Sequence, residues 1–269
     1  MRYIFFILLG ILPISALAEE TDLNRRFKNT PQELSNDKTL EFWGYQNYQG
    51  NSSYSDILKI RYYNPLDIGS WQGRIRLDTS IVSSNANGQE FNNSGQFSAG
   101  NTMLTIWGQD KDFLPNINAT IGGRIIFPFG NNGQWAIGPQ IRWLFKPTEG
   151  ADTLISDFSP LLRYIYGFDT KNNSVNINPN QPALQRNLQI YPTAGLSLTP
   201  DTQIRFWDEN GMIFNTASGS WFIPIDGMIV HRLSKNFSLA IGASKQLVDT
   251  YKQYNWSTYG KISYTFWHA

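Results

Sequence analysis

The 269-residue sequence contains no cysteine, which removes disulfide frameworks, thiolate metal sites and a lipid-modified N-terminal cysteine from consideration. Histidine is almost as scarce, with only His231 and His268. Beyond Ile14 no stretch approaches the roughly 20 consecutive apolar residues that a membrane-crossing helix needs. Patterns of the H-x-x-E-H, G-x-S-x-G or P-loop type are also missing, so no familiar hydrolase or nucleotide-binding signature is present. Neither sign of charge dominates. The chain has 22 basic and 21 acidic residues, and loss of Arg2 with a leader would equalise them. Global charge therefore points to no nucleic-acid partner, and only the distribution of charge is informative.

What is present begins with a leader. Arg2 supplies a positive start, Tyr3 to Ile14 form a short apolar run, and Ala16-Leu17-Ala18 offers small residues for cleavage before Glu19. Residues 1–18 are thus expected to be a secretory signal, 19–38 a periplasmic segment and 39–269 the folded unit. In the 19–38 segment, Asp22 to Phe27 would allow a short helix after Thr21. That segment is expected to be a periplasmic tail, with a plug entering the lumen as the alternative.

The mature chain is rich in aromatics, and the whole sequence has 9 Trp, 13 Tyr and 17 Phe. Aromatic wealth without long apolar runs suits a membrane β-barrel, whose lipid-facing residues alternate with polar ones facing the lumen. The alternation is clearest from Ile117 to Phe129. There Ile117, Ala119, Ile121, Ile125, Phe127 and Phe129 share one face, and Asn118, Thr120 and Arg124 the other. A 3.6-residue period would scatter these apolar residues around a helix; only an extended strand gathers them. The same count predicts twelve strands, at 39–48, 54–63, 71–83, 97–107, 117–129, 134–146, 153–169, 187–199, 202–214, 220–232, 236–248 and 254–267. The fourth and ninth break strict alternation, around Met103 to Trp107 and around Phe206 to Phe214. The predicted fold is all-β, a transmembrane antiparallel up-and-down barrel of about twelve strands.

An even strand number places both termini on one side. The connections then divide into short Pro-, Gly- and Asp-rich turns, such as Pro200-Asp201, and longer polar loops, Ser83 to Gln96 and Thr170 to Asn187. A soluble β-sandwich has no reason to show that asymmetry. Trp135, Trp143, Tyr164 to Phe168, Trp221 and Trp256 fall toward strand ends, as interfacial girdles do. In the final strand Gly260, Ile262, Tyr264 and Phe266 alternate with Lys261, Ser263 and Thr265, although Trp267-His268-Ala269 extends beyond the usual terminal aromatic.

Three runs carry a family resemblance. Gly219-Ser220-Trp221-Phe222-Ile223-Pro224-Ile225 with His231 to Lys235, Gly133-Gln134-Trp135-Ala136-Ile137-Gly138-Pro139, and Leu188-Gln189-Ile190-Tyr191-Pro192 resemble stretches of the outer-membrane transporters named after the meta-pathway of phenol degradation. The likeness spans roughly residues 40 to 267. It implies a small outer-membrane barrel that passes small molecules, often supposed hydrophobic, and it brings no catalytic residues and no cofactor.

In this register Lys59, Arg61, Arg74, Arg76, Arg124, Arg142, Arg163, Arg205 and Lys261 point inward, against Asp78, Asp157 and Asp226. Such a ladder predicts a channel or transporter that favours small anions. If the arginines instead pair with acids, they fill the interior. The alternatives are a barrel enzyme, or a structural or surface barrel without transport. The enzyme reading is weak because both histidines fall at strand ends on the periplasmic side, and Asp208-Glu209 is assigned to an external loop region. Expected partners are outer-membrane lipids and lipopolysaccharide, the barrel-assembly machinery and a small-molecule solute.

Overall fold

The computed structural model describes residues 37–50, 53–85, 97–110, 112, 118–129, 134–145, 154–170, 185–251 and 253–266. The expected leader, the 19–36 part of the tail, His268 and most of the two long loops lie outside the described residues. Twelve strands follow one another in chain order: β1 (Lys38–Gly50), β2 (Ser53–Ile68), β3 (Trp71–Asn85), β4 (Phe97–Ala99 and Thr102–Asp110), β5 (Ala119–Phe127) and β6 (Gln134–Trp143). The second half comprises β7 (Ile155–Phe158 and Leu161–Thr170), β8 (Arg186–Tyr191 and Ala194–Thr199), β9 (Thr202–Phe206 and Met212–Asn215), β10 (Ser220–Arg232), β11 (Phe237–Asp249) and β12 (Trp256–Phe266).

Each strand pairs antiparallel with its sequence neighbours, and β1 pairs with β12 from Lys38 opposite Phe266 to Tyr48 opposite Trp256. That last ladder closes the barrel and removes the open edges that a bilayer could not satisfy. The turns that match the short class are tight. Gly69-Ser70 joins β2 to β3, with Gly69 at φ +60, and Pro200-Asp201 joins β8 to β9.

The expected strands all form, but four are interrupted. One break, at Trp207 to Gly211 in β9, lies where alternation failed in the sequence, and another, at Gly100-Asn101 in β4, lies just before the Met103 to Trp107 stretch that broke it. The other two correct the expectation of continuous strands at 153–169 and 187–199. Pro160 and Pro192 have no N–H to give the ladder, and β7 and β8 break beside them. Their neighbours still hold the wall together, through Trp143 N–H to the Pro160 carbonyl (3.0 Å) and Ser159 N–H to the Thr193 carbonyl (2.8 Å).

Alternation sorts the side chains as a membrane barrel requires. Outward residues such as Leu58, Ile60, Ile121, Ile137, Ile229 and Ile241 are exposed, and they form an apolar belt that only lipid or detergent can cover. Aromatic pairs sit at both rims. Tyr48 with Trp256 and Phe127 with Trp135 lie at the loop end, and Phe145 with Phe158 and Tyr264 with Phe266 at the end carrying both termini. The buried set is largely polar, including Glu41, Arg61, Arg74, Asp78, Arg163, Arg205, Asp226 and Lys261. The barrel is therefore inside-out relative to a soluble sandwich.

Candidate functional site

Strand register dictates how the lumen is furnished. Pairing aligns Glu41 with Arg61 and Arg61 with Asp78, and it aligns Tyr63 with Arg76, Arg76 with Thr105, and Thr105 with Arg124. Two rows of inward side chains therefore run across the strands on one side of the barrel. All nine expected basic residues project into the interior, but they fall into two groups.

The first group is paired. Arg61 meets Asp78 at 2.6 Å, and Arg76 meets the other oxygen of Asp78 at 2.8 Å. Lys261 bonds Glu41 at 3.0 Å, and Arg205 bonds Asp157 at 2.9 Å and Asp208 at 3.3 Å. Lys59 and Arg61 reach Glu209 at 2.9 and 3.2 Å. Glu209 also accepts from the Tyr45 hydroxyl at 2.5 Å. These cations neutralise acids and fill space. Their stems and heads also pack on aromatic faces, with Arg61 and Lys261 both over Trp43.

Three of those acids were not expected inside. Glu41 was legible, since it alternates with outward Phe42 and shares its face with Trp43 and Tyr45. Asp208 and Glu209 were not, because their placement requires leaving the strand pattern. The structure corrects their assignment to an external loop. The segment Trp207 to Gly211 interrupts β9 part-way along its length and lays Glu209 across the lumen onto β1 and β2. Trp207 takes a left-handed backbone, φ +48, which a bulky residue adopts only under constraint. Three bonds supply the constraint: Trp207 N–H to the Asp226 carbonyl, Trp207 Nε1–H to the Pro224 carbonyl, and the Thr193 hydroxyl to the Trp207 carbonyl.

The second group lies on the wall formed by β3 to β7. Arg124 donates to the Thr105 hydroxyl at 3.0 Å, and Arg163 to the side-chain oxygens of Gln140 at 2.8 Å and Gln189 at 3.1 Å. Among the described residues no carboxylate lies within ion-pair distance of either. Arg142 donates to the Ser159 carbonyl at 3.4 Å, and Arg74 to the Asp37 carbonyl at 2.7 Å while lying over the Tyr63 ring. Arg76, Arg124 and Arg142 are the like charges that act on Arg163, so four guanidinium groups share one wall.

A small recess opens at this wall. Its polar lining is Arg76, Arg142, Arg163, Gln140 and Thr105; its apolar lining is Tyr63, Trp107 and Leu161. Counting inward side chains among the described residues, nine cations face six carboxylates, an excess of three positive charges. Asp78 on β3 and Asp157 on β7 are taken up by Arg61, Arg76 and Arg205, so the excess falls to Arg124 and Arg163 on the β3–β7 wall.

His231 lies at the end of β10, exposed, with Nδ1 2.9 Å from the Thr202 hydroxyl. That position is outside the lumen, and among the described residues no carboxylate pairs with it to make it a catalytic base.

No family model matches the chain, and no curated protein matches it. Among solved structures it is similar to an outer-membrane channel from Pseudomonas putida F1, with a TM-score of 0.57, 12% identity, and coverage of 93% of this chain and 100% of that one. The NanC porin follows with a TM-score of 0.49 and 10% identity over 85% of this chain and 100% of that one. The KdgM porin has a TM-score of 0.46 and 11% identity over 85% and 99%. At 12% identity the likeness to the Pseudomonas putida channel is one of architecture, that of the closed outer-membrane β-barrel.

Proposed function

We propose that the barrel is an outer-membrane channel for small solutes, and that its β3–β7 wall favours small anions. The observation that carries this reading is the pair Arg124 and Arg163. Both project into the lumen without a carboxylate partner, beside Arg76 and Arg142 and next to a small recess. Guanidinium groups held by neutral acceptors keep their full charge and spare N–H donors, so they raise the local concentration of anions and oppose cations. Within the expected ladder, Lys59, Arg61, Arg205 and Lys261 serve chiefly as structural counter-ions, and the solute path follows Arg74, Arg76, Arg124, Arg142 and Arg163. We propose further that the chain belongs with the transporters named after the meta-pathway of phenol degradation. An arginine wall departs from the hydrophobic solutes supposed for them. Outer-membrane lipids, lipopolysaccharide and the barrel-assembly machinery are the partners this reading requires; it calls for no catalytic residue or cofactor.

A second reading, a structural barrel with a filled lumen, draws support from Glu209 bridging the interior. Planar-bilayer recording separates the two. The parent protein is expected to conduct, with a reversal potential under a salt gradient showing anion preference. The Arg124→Ser, Arg163→Ser double variant is expected to lose most of that preference. Absence of conductance favours the structural barrel. A cation-selective parent, or an unchanged variant, rules out the anion path.

A further inference from the structure

The interruption of β9 has a definite length. Phe206 pairs with Ala194 and Met212 with Ile190, so the five residues between them in β9 face three in β8. On the other side Phe206 pairs with Gly227 and Ile213 with Phe222, so six residues of β9 face four of β10. Both ladders give the same surplus of two. Because the surplus is even, inward and outward faces stay in phase across it, with Arg205 before it and Asn215 after it both buried. Trp207 to Gly211 therefore carries two residues that the wall has no room to take back.

An inserted segment can leave a barrel wall on either side. Toward lipid, its backbone groups and the side chains of Asp208, Glu209 and Asn210 would lose their hydrogen bonds. Toward the lumen they are met. Asp226, buried on β10, pairs with no cation among the described residues; its carboxylate accepts from the Asn210 side chain at 2.9 Å, the Asn210 N–H at 3.4 Å and the Tyr259 hydroxyl at 2.8 Å. Asp208 meets Arg205 at 3.3 Å, and Glu209 reaches Lys59 and Arg61 on β2. Passing through β10, β11, β12 and β1, β9 and β2 stand five strand steps apart in a ring of twelve, so the segment and its partners cross nearly the whole width of the bore.

We infer that Trp207 to Gly211 is a built-in crossbar, the narrowest part of the bore, which sets the size of solute admitted. Its length matters more than its charge, because the two surplus residues stay in the lumen whatever side chains they carry. Asp226 is a positioning residue, which holds the crossbar through Asn210. The inference rests on the channel reading and names the element that limits passage.

The test is to shorten the strand. A variant lacking Asp208 and Glu209, with Asn210→Val to give lipid an apolar side chain, keeps three residues between Phe206 and Met212, the number β8 offers. The comparison is Asp208→Asn with Glu209→Gln, which removes the charges and keeps the length. In planar bilayers the shortened variant is expected to conduct about threefold or more above the parent, and the neutralised one to gain less than about half of that increase. In liposome swelling the shortened variant should admit raffinose, which the parent excludes. Heat-modifiable gel mobility verifies folding. Should the shortened chain not fold, full-length Glu209→Cys decides, since the chain has no other cysteine: a methanethiosulfonate label there should cut the current by about half or more, and the same label on lipid-facing Ile241→Cys should not. Unchanged conductance and raffinose exclusion on shortening, a neutralised variant equal to the shortened one, or a current indifferent to the label at position 209 would overturn the inference. An anion-selective parent that is unaffected by shortening loses the crossbar alone. A silent parent that conducts once shortened keeps the crossbar and loses the channel reading.

Discussion

Glu209 ties the inward segment of β9 to β1 and β2, so its removal is an informative single perturbation. Its carboxylate bonds Lys59 at 2.9 Å and Arg61 at 3.2 Å and accepts from the Tyr45 hydroxyl at 2.5 Å. The groups are well shielded, with side-chain exposures of 9% for Glu209, 16% for Lys59 and 8% for Arg61. Removing one member of a buried ion pair costs about 3–5 kcal/mol, mostly through the charges left behind. Arg61 keeps Asp78 and Glu41, so its loss is partial. Lys59 bears the larger share, and Glu209→Ala should therefore cost about 3 kcal/mol, at the low end of that range. Urea unfolding of the barrel refolded in lipid vesicles, followed by tryptophan fluorescence, measures this. Glu209→Gln keeps an acceptor for Tyr45 and should recover part of the loss. The same substitutions raise the inward charge excess by one and release the segment from β1 and β2. Single-channel conductance and anion preference should both rise. A change in stability below about 0.5 kcal/mol together with unaltered current would refute the role of Glu209 as a cross-lumen tie.

Two further outcomes follow from the fold. Ile241 is 61% exposed on the outer wall of β11, and Ile241→Arg should destabilise the barrel in bilayers by about 2–4 kcal/mol, a cost that vanishes if that face meets water. An epitope inserted near Asn178 is expected to be labelled on intact cells. Labelling only after the outer membrane is permeabilised would place the loop between β7 and β8 on the periplasmic side.

Much of this architecture could be read along the chain. Strand count, inward and outward faces and the tight turns come from a two-residue period and its punctuation, which are local properties. The strand interruptions divide instructively. Those at Pro160 and Pro192 had a visible cause, the missing N–H, that a period count passes over. That in β9 showed as broken alternation and that in β4 fell just before such a stretch, yet a lapse in the pattern does not tell whether residues bulge outward, leave the wall or enter the lumen.

The sequence by itself determined a closed barrel with an apolar belt, aromatic rims and nine cations facing inward, because alternation assigns every strand residue to one of two faces. Closure decided what those cations do. Only when β1 meets β12 does Lys261 come to Glu41, 220 residues away in sequence, and only when β9 opens inward does Glu209 reach Lys59, 150 residues away. Such pairings depend on barrel closure and on distances across the lumen, which no local period encodes. They take up acids elsewhere in the interior and leave Arg124 and Arg163 without one. The charge a solute meets is what remains after pairing, and pairing is a tertiary property.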